Sequence, residues 1–275
     1  PGVMHGLMRV RGFTQDDAHV FCLPEQITAE IVAILDLTEQ ILSTFDFRSY
    51  EINLSTRPAK SIGEDAVWEL ATNGLIGALE RKGWAYKVDE GGGAFYGPKI
   101  DLKIEDAIGR MWQCSTIQLD FNLPERFQLE YVAADGSRRQ PIMIHRAIFG
   151  SLERFFGIMT ENYAGDFPFW LAPEQIRLLP VTDEVRGYAE EVLGQLKRAG
   201  VRATLDQSGE RLAKLIRNGE QMKIPVLAVI GTTEAEGGSL SLRSRREGDL
   251  GTMAVAKLIE AASLANAARS AGLQP

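Results

Sequence analysis

Two patterns, one after the other along the chain, predict an α+β protein in two domains. Over residues 1–170, β-like segments follow one another with few strand–helix–strand alternations, the mark of an antiparallel sheet carrying helices on one side. Over residues 171–275 the pattern becomes strand, helix, strand, helix, strand, which builds a small, mostly parallel α/β domain. The change falls at residues 167–173, a Pro-rich stretch that reads as a connector. A chain of 275 residues, 45% hydrophobic and 24% charged, has room for two cores.

Taken in order, residues 7–14 and 19–23 read as strands joined by a polar connection with hairpin character. Pro24 and Glu25 open a helix whose apolar positions Ile27, Ile31, Ile34, Leu35, Ile41 and Leu42 recur with helical period. A strand over 47–54 and a loop holding Arg57 and Lys60 lead to a helix over 64–81, which Gly83 stops. Gly91, Gly92 and Gly93 then interrupt regular structure, either to turn the backbone or to let it approach a ligand. Long strands are expected over 99–107, 111–121 and 127–133, and another over 138–144 after an Asp135-Gly136 turn. His145 stands at the tip of that strand, and Ile148, Phe149, Leu152, Phe155, Phe156 and Met159 give the next segment an amphipathic helical period. In the second domain, strands over 176–181, 201–206, 225–230 and 239–245 are expected with helices over 184–199, 211–222 and 253–268.

The formal net charge of -7 argues against a general nucleic-acid coat and leaves room for a local basic patch. Cys22 and Cys114 are the only cysteines and have no framework spacing, which suggests a reducing compartment and a cytoplasmic protein. No window approaches the roughly 18 apolar residues of a membrane span. No signal-peptide pattern is expected at the start; Pro1 leads straight into an apolar segment, as in a piece of a longer chain.

The chemistry-bearing residues centre on 113–161. A strand that delivers His145 and a helix that carries Arg154 would aim two polar groups into one cleft; a core strand and helix with a satisfied His and a surface Arg is the alternative. His19 and His145 form a plausible metal pair, although zinc wants three or four ligands, and Cys22 and Cys114 sit in apolar strands where each packs as a small hydrophobe. Arg9, Arg11, Lys99 and Arg154 could meet polyphosphate or be ordinary exposed charge. Phe13 could stack on a base or join the core, and Asp17 could accept a substrate hydroxyl or cap a turn. Gln113, Thr116 and Gln118 share one strand and face either a ligand or water.

Four strings, 8–19, 95–99, 112–121 and 145–154, resemble the threonyl-tRNA synthetase family of class II aminoacyl-tRNA synthetases, and residues from Ile176 onward resemble that family's anticodon-binding domain. The resemblance implies a class II synthetase catalytic core, incomplete at its N-terminus, over 1–170, and a small α/β anticodon-binding domain over 171–275. It implies ATP, threonine and tRNA as substrates, zinc and ATP-bound Mg²⁺ as metals, no membrane, and a homodimer for the full-length enzyme. Carried over, Arg9, Lys99 and Arg154 are catalytic. Phe13 and Arg154 stack on adenine, with Arg9, Gln113 and Thr116 also at ATP. Gln15, Asp17, Tyr96, Gln113 and Gln118 line the amino-acid pocket, His19 and His145 ligate zinc, and Glu234 and Arg243 read the anticodon. The family's motif 1, its third zinc ligand (a Cys) and the Arg and Glu that open motif 2 are absent from the 275 residues, and Gly209 stands where an anticodon-contacting Asn is expected. Those departures carry the alternative expectation, a catalytically weak fragment or paralogue that binds tRNA or amino acid without full activity.

Overall fold

The computed structural model describes residues 4–273, which divide into two compact units between Asn162 and Tyr163.

In the first unit, β1 (Ala18–Cys22) is followed by α1 (Ile27–Thr44), β2 (Tyr50–Ser55), α2 (Asp65–Lys82) and β3 (Lys87–Asp89). Then come β4 (Lys99–Glu105), β5 (Met111–Asp120), the short α3 (Asn122–Arg126), the two-residue strands β6 (Tyr131–Val132) and β7 (Arg138–Arg139), β8 (Ile142–Ala147) and α4 (Leu152–Asn162). Six strands form one sheet in the order β1-β8-β5-β4-β2-β3, antiparallel except for β2 with β3. Directly opposed residues in such ladders share a face. One face is apolar: Leu54, Ile100, Ile117, Leu119 and Ile144 are at most 1% exposed. Helices α1 and α2 pack on each other and on this sheet, burying Ile31, Leu35, Leu75 and Leu79 completely. Each such side chain contributes about 1.5–3 kcal/mol of burial free energy. Gly83 ends α2 in the left-handed conformation, φ 63°, as the sequence predicts.

Four local expectations fail. Residues 7–14 are not a strand: Gly6–Met8 is one turn of 3₁₀ helix, and the rest is loop with isolated bridges His5–Arg9 and Gln15–Ser151. The alternating Arg-Val-Arg pattern has no ladder to join there among the described residues. Residues 127–133 are not a long strand either, because Phe127 and Val132 are 69% and 70% exposed and offer no buried face to a sheet. Residues 138–144 split between the β6–β7 ribbon and β8, which places His145 inside a strand rather than at its tip. Helix α4 begins at Leu152, so Arg154 lies in its first turn, and Ile148 and Phe149 belong to the preceding turn.

The second unit holds β9 (Ile176–Pro180), α5 (Arg186–Arg198), β10 (Ala203–Leu205), α6 (Leu212–Gln221), β11 (Val226–Ile230), α7 (Thr232–Gly237), β12 (Ser239–Ser244), β13 (Gly248–Ala254) and α8 (Val255–Ala268). Its sheet runs β10-β9-β11-β12-β13, parallel over the first three strands and antiparallel over the last three. Helices α5 and α8 bury one face and α6 the other. Helix α7 and strand β13 have no counterpart among the sequence expectations, and β13 takes residues 253 and 254 from the expected last helix. The Pro-rich stretch at 167–173 is built into this unit: Phe169 is fully buried in its core, and Arg202 donates to the carbonyls of Trp170 and Ala172.

Candidate active site

The second face of the six-stranded sheet is polar, and its layout follows from register. One rung reads Ser55, Lys99, Gln118, His145, His19 across five strands. The neighbouring rung reads Asn53, Asp101, Thr116, Ala147. Strict alternation along β5 would turn Gln113 away from Thr116 and Gln118. A β-bulge at Cys114 adds one residue between the pairs Leu102–Ser115 and Lys103–Gln113, so Gln113 rejoins their face. Its amide then donates to Thr116 Oγ1 at 2.9 Å and to Asp101 Oδ1 at 2.7 Å.

Asp101, buried at 4% exposure, organises this end of the floor. It accepts from Gln113 and Thr116 on one oxygen, and Lys99 Nζ lies 2.6 Å from the other. Sequence reasoning passed over it, although Lys99, Asp101 and Lys103 alternate along β4 on the face that carries Gln118. At the other end, Asp17, His19 and His145 bring one donor atom each within 4.8 Å of one another. The two imidazoles meet edge to face, ring centroids 4.7 Å apart. Asp120, with a side chain 1% exposed, faces His145 Nε2 at 2.8 Å and accepts the N–H groups of Asn122 and Leu123 at the start of α3. Burial opposes its charge, but the hydrogen bonds from His145 and those two amides outweigh it and hold the carboxyl below its ordinary range. Tyr96 donates to Gln118 Oε1 at 3.1 Å; burial first, then the carboxylates of Asp120 and Asp17, push its phenol upward.

Above this floor is a cleft of about 560 Å³. Of the residues singled out from sequence, Arg9, Phe13, Gln15, Asp17, Tyr96, Gln113, Thr116, Gln118, His145 and Arg154 line it. His19 adjoins it through His145, and Lys99 lies beneath it on Asp101. Phe13 is 55% exposed, which excludes the core alternative for that ring. Arg154 donates to the carbonyls of Met8 and Gln113 and lies over Trp112, 5.3 Å from the ring centroid. Trp112 is itself fixed by a 2.8 Å bond from its indole N–H to Asp106.

Two carboxylates outside the expected set hold the loop to the site. Asp16 accepts the N–H groups of Ile148, Phe149 and Gly150, and Glu153 accepts that of Thr14. These side-chain clamps, with the Leu152 N–H donating to Thr14 O, replace the strand pairing that residues 7–14 lack. Two glycines are obligatory. A Cβ on Gly97 would meet Leu119 O at 1.9 Å, and one on Gly150, at φ +71°, would meet Cys114 O at 2.4 Å.

In the second unit, Gly209 borders a small cleft of about 130 Å³ between the loops that follow β9 and β10. Glu234 caps α7 by accepting the Gly231 N–H, and Arg243 pairs with Glu220 at 3.1 Å. Both therefore have structural partners.

The antiparallel core over a polar cleft, followed by a separate α/β unit, defines a class of protein that the comparisons identify. Residues 2–163 match the family model "tRNA synthetase class II core domain (G, H, P, S and T)", and residues 175–263 match "Anticodon binding domain". The chain belongs to the class II tRNA synthetase family. It is 81% identical over 274 residues to a threonine–tRNA ligase of Synechococcus sp. (strain CC9605), and 61% identical over 270 residues to the chloroplastic/mitochondrial threonine–tRNA ligase 2 of Arabidopsis thaliana. Those matches cover 100% and 98% of this chain but 45% and 41% of the relatives, so the chain spans less than half their length. A crystal structure described as the RNA binding domain of threonyl-tRNA synthetase from Cryptosporidium parvum Iowa II superimposes with a TM-score of 0.91 at 38% identity, covering 98% of this chain and 67% of that one. Among the described residues no helix is long and apolar enough to cross a membrane.

Proposed function

We propose that this chain supplies the catalytic core and anticodon-reading unit of an enzyme that joins threonine to its cognate tRNA through a threonyl-adenylate made from ATP. The convergence of Asp17, His19 and His145 at one end of a cleft whose other end holds Gln113, Thr116 and Arg154 carries this reading. Two imidazoles and a carboxylate within 4.8 Å form a donor set that zinc accepts, with His19 and His145 as ligands. Zinc held there would supply a Lewis-acid anchor for the amino group and β-hydroxyl of threonine, and Mg²⁺ carried by ATP would neutralise phosphate charge.

The chain's own residues do the rest. Asp17 accepts the hydroxyl hydrogen bond, and Gln15, Tyr96 and Gln118 line the amino-acid pocket. Phe13 and Arg154 take the two faces of adenine, Gln113 and Thr116 line the nucleotide end, and Arg9 reaches the outer phosphates. Lys99, ion-paired with Asp101 beneath the cleft, fixes the carboxylate that orients Gln113 and Thr116. The threonine carboxylate attacks the α-phosphorus in line and the α–β phosphoanhydride breaks, releasing pyrophosphate. A ribose hydroxyl of the tRNA then attacks the adenylate carbonyl and AMP leaves, the rate of both steps coming from positioning and charge neutralisation. Valine has threonine's shape without its hydroxyl. An apolar pocket would separate such isosteres by only about 10²-fold, whereas polar groups left unpaired by valine support about 10⁴–10⁵-fold. Serine keeps a hydroxyl and should enter. Glu234 and Arg243 face anticodon bases, and the intact enzyme works in the cytoplasm as a homodimer.

The test is ATP–pyrophosphate exchange by the intact protein with threonine, serine or valine, before and after zinc removal. Threonine should drive exchange, serine less and valine not at all, and His19→Ala or His145→Ala should abolish it. Undiminished threonine selectivity in the zinc-free protein would sink the assignment.

A further inference from the structure

His145 and His19 oppose each other in the sheet, yet only one ring is anchored. His19 Nε2 lies 3.8 Å from Asp17 Oδ2, beyond hydrogen-bond range, and both side chains are more than 40% exposed. His145 Nε2 lies 2.8 Å from Asp120 Oδ2, and the two side chains are 17% and 1% exposed. Asp120 is held in turn, because its other oxygen takes the amides of Asn122 at 2.8 Å and Leu123 at 3.0 Å.

A carboxylate can only accept, so the imidazole nitrogen that faces it carries the proton. A neutral ring then has one lone pair left, on the other nitrogen. We infer that Asp120 is a positioning residue for the metal: it locks His145 as the Nε2–H tautomer and presents Nδ1 to a cation shared with His19. The carboxylate also makes the ring a stronger donor, as in carboxylate–histidine–zinc arrangements generally. Nothing in the spacing of Asp120 and His145, 25 residues apart, announces the pair; the β5–β8 register creates it by setting Gln118 against His145 and Asp120 against Met143. This inference rests on the zinc reading above.

The experiment measures zinc affinity of the intact protein by competition with a chromophoric chelator, for wild type, Asp120→Asn and Asp120→Ser. Both variants keep an oxygen for the Asn122 and Leu123 amides, so α3 retains its start; serine is too short to reach His145. X-ray absorption at the zinc edge counts the ligands in each protein. Both variants should bind zinc about 10–100-fold more weakly with an unchanged ligand count. Wild-type affinity in both variants overturns the inference and leaves the zinc reading intact. So does loss of one ligand in the variants, which would make Asp120 a direct ligand. A wild-type protein that takes up no zinc overturns the zinc reading itself, before any variant is compared.

Discussion

Asp16→Ala removes one carboxylate and strands three amides. In the folded protein that carboxylate accepts the N–H groups of Ile148 at 2.9 Å and of Phe149 and Gly150 at 3.1 Å. Hydrogen bonds to a charged group contribute roughly 1.5–3 kcal/mol each when water is excluded. Asp16 is 19% exposed, so water can replace part of what alanine removes. Taking about 1 kcal/mol per amide gives roughly 3 kcal/mol for the turn. The Arg146 guanidinium, 3.6 Å away and itself partly exposed, adds little. Hydrogen exchange reads this locally, which suits a chain of two units whose global unfolding need not be two-state. At 1.4 kcal/mol per factor of ten, the amides of residues 148–150 should lose about 10²-fold of protection. The amides of α1 and α2 should keep theirs. The same turn joins His145 to Arg154, so an induced shift of about 1 Å should cost about 10²-fold in exchange activity. Unchanged protection at 148–150 in Asp16→Ala would refute the reasoning, whatever happened to activity.

Other expectations follow from single contacts. Gly97→Ala drives a methyl into the Leu119 carbonyl, a backbone atom that cannot move aside, and should lower the melting temperature of the first unit sharply. Burial pushes the thiols of Cys22 and Cys114 up to about 11 and about 12, so iodoacetamide at pH 8 should label neither until denaturant is added, as intact mass will report. Burial opposes the charge of Asp106, but bonds from Trp112, from Arg110 and from the amides of Arg110 and Ile108 outweigh it and hold its carboxyl well below the ordinary range. A carboxyl lowered in the folded state stabilises above its unfolded value and loses that contribution as pH falls through the folded one. Urea midpoints of wild type and Asp106→Asn should therefore differ at pH 7 and converge in strong acid.

The local code carried much of this protein. Apolar spacing marks α1, α2 and α5, and Gly83 stops α2 as expected. The alternation of strands and helices beyond Ile176 gives the second unit, and the four strings around the cleft give the family. Those features depend on neighbours within a few residues, or on whole motifs kept in order, and both are visible in one dimension. What the tertiary structure decided is register. Gln113 joins Thr116 only because a bulge shifts β5 by one residue, and a one-residue shift turns every later side chain to the other face. Residues 7–14 and 127–133 show the same dependence in reverse. Their β-forming side chains find no buried face to pack against, and the first segment is instead clamped by Asp16 and Glu153 across some 135 residues of chain. The meeting of His19 with His145, and of His145 with Asp120, likewise exists only once β1, β8 and β5 lie side by side, because long-range pairing is settled by the packing of the whole sheet.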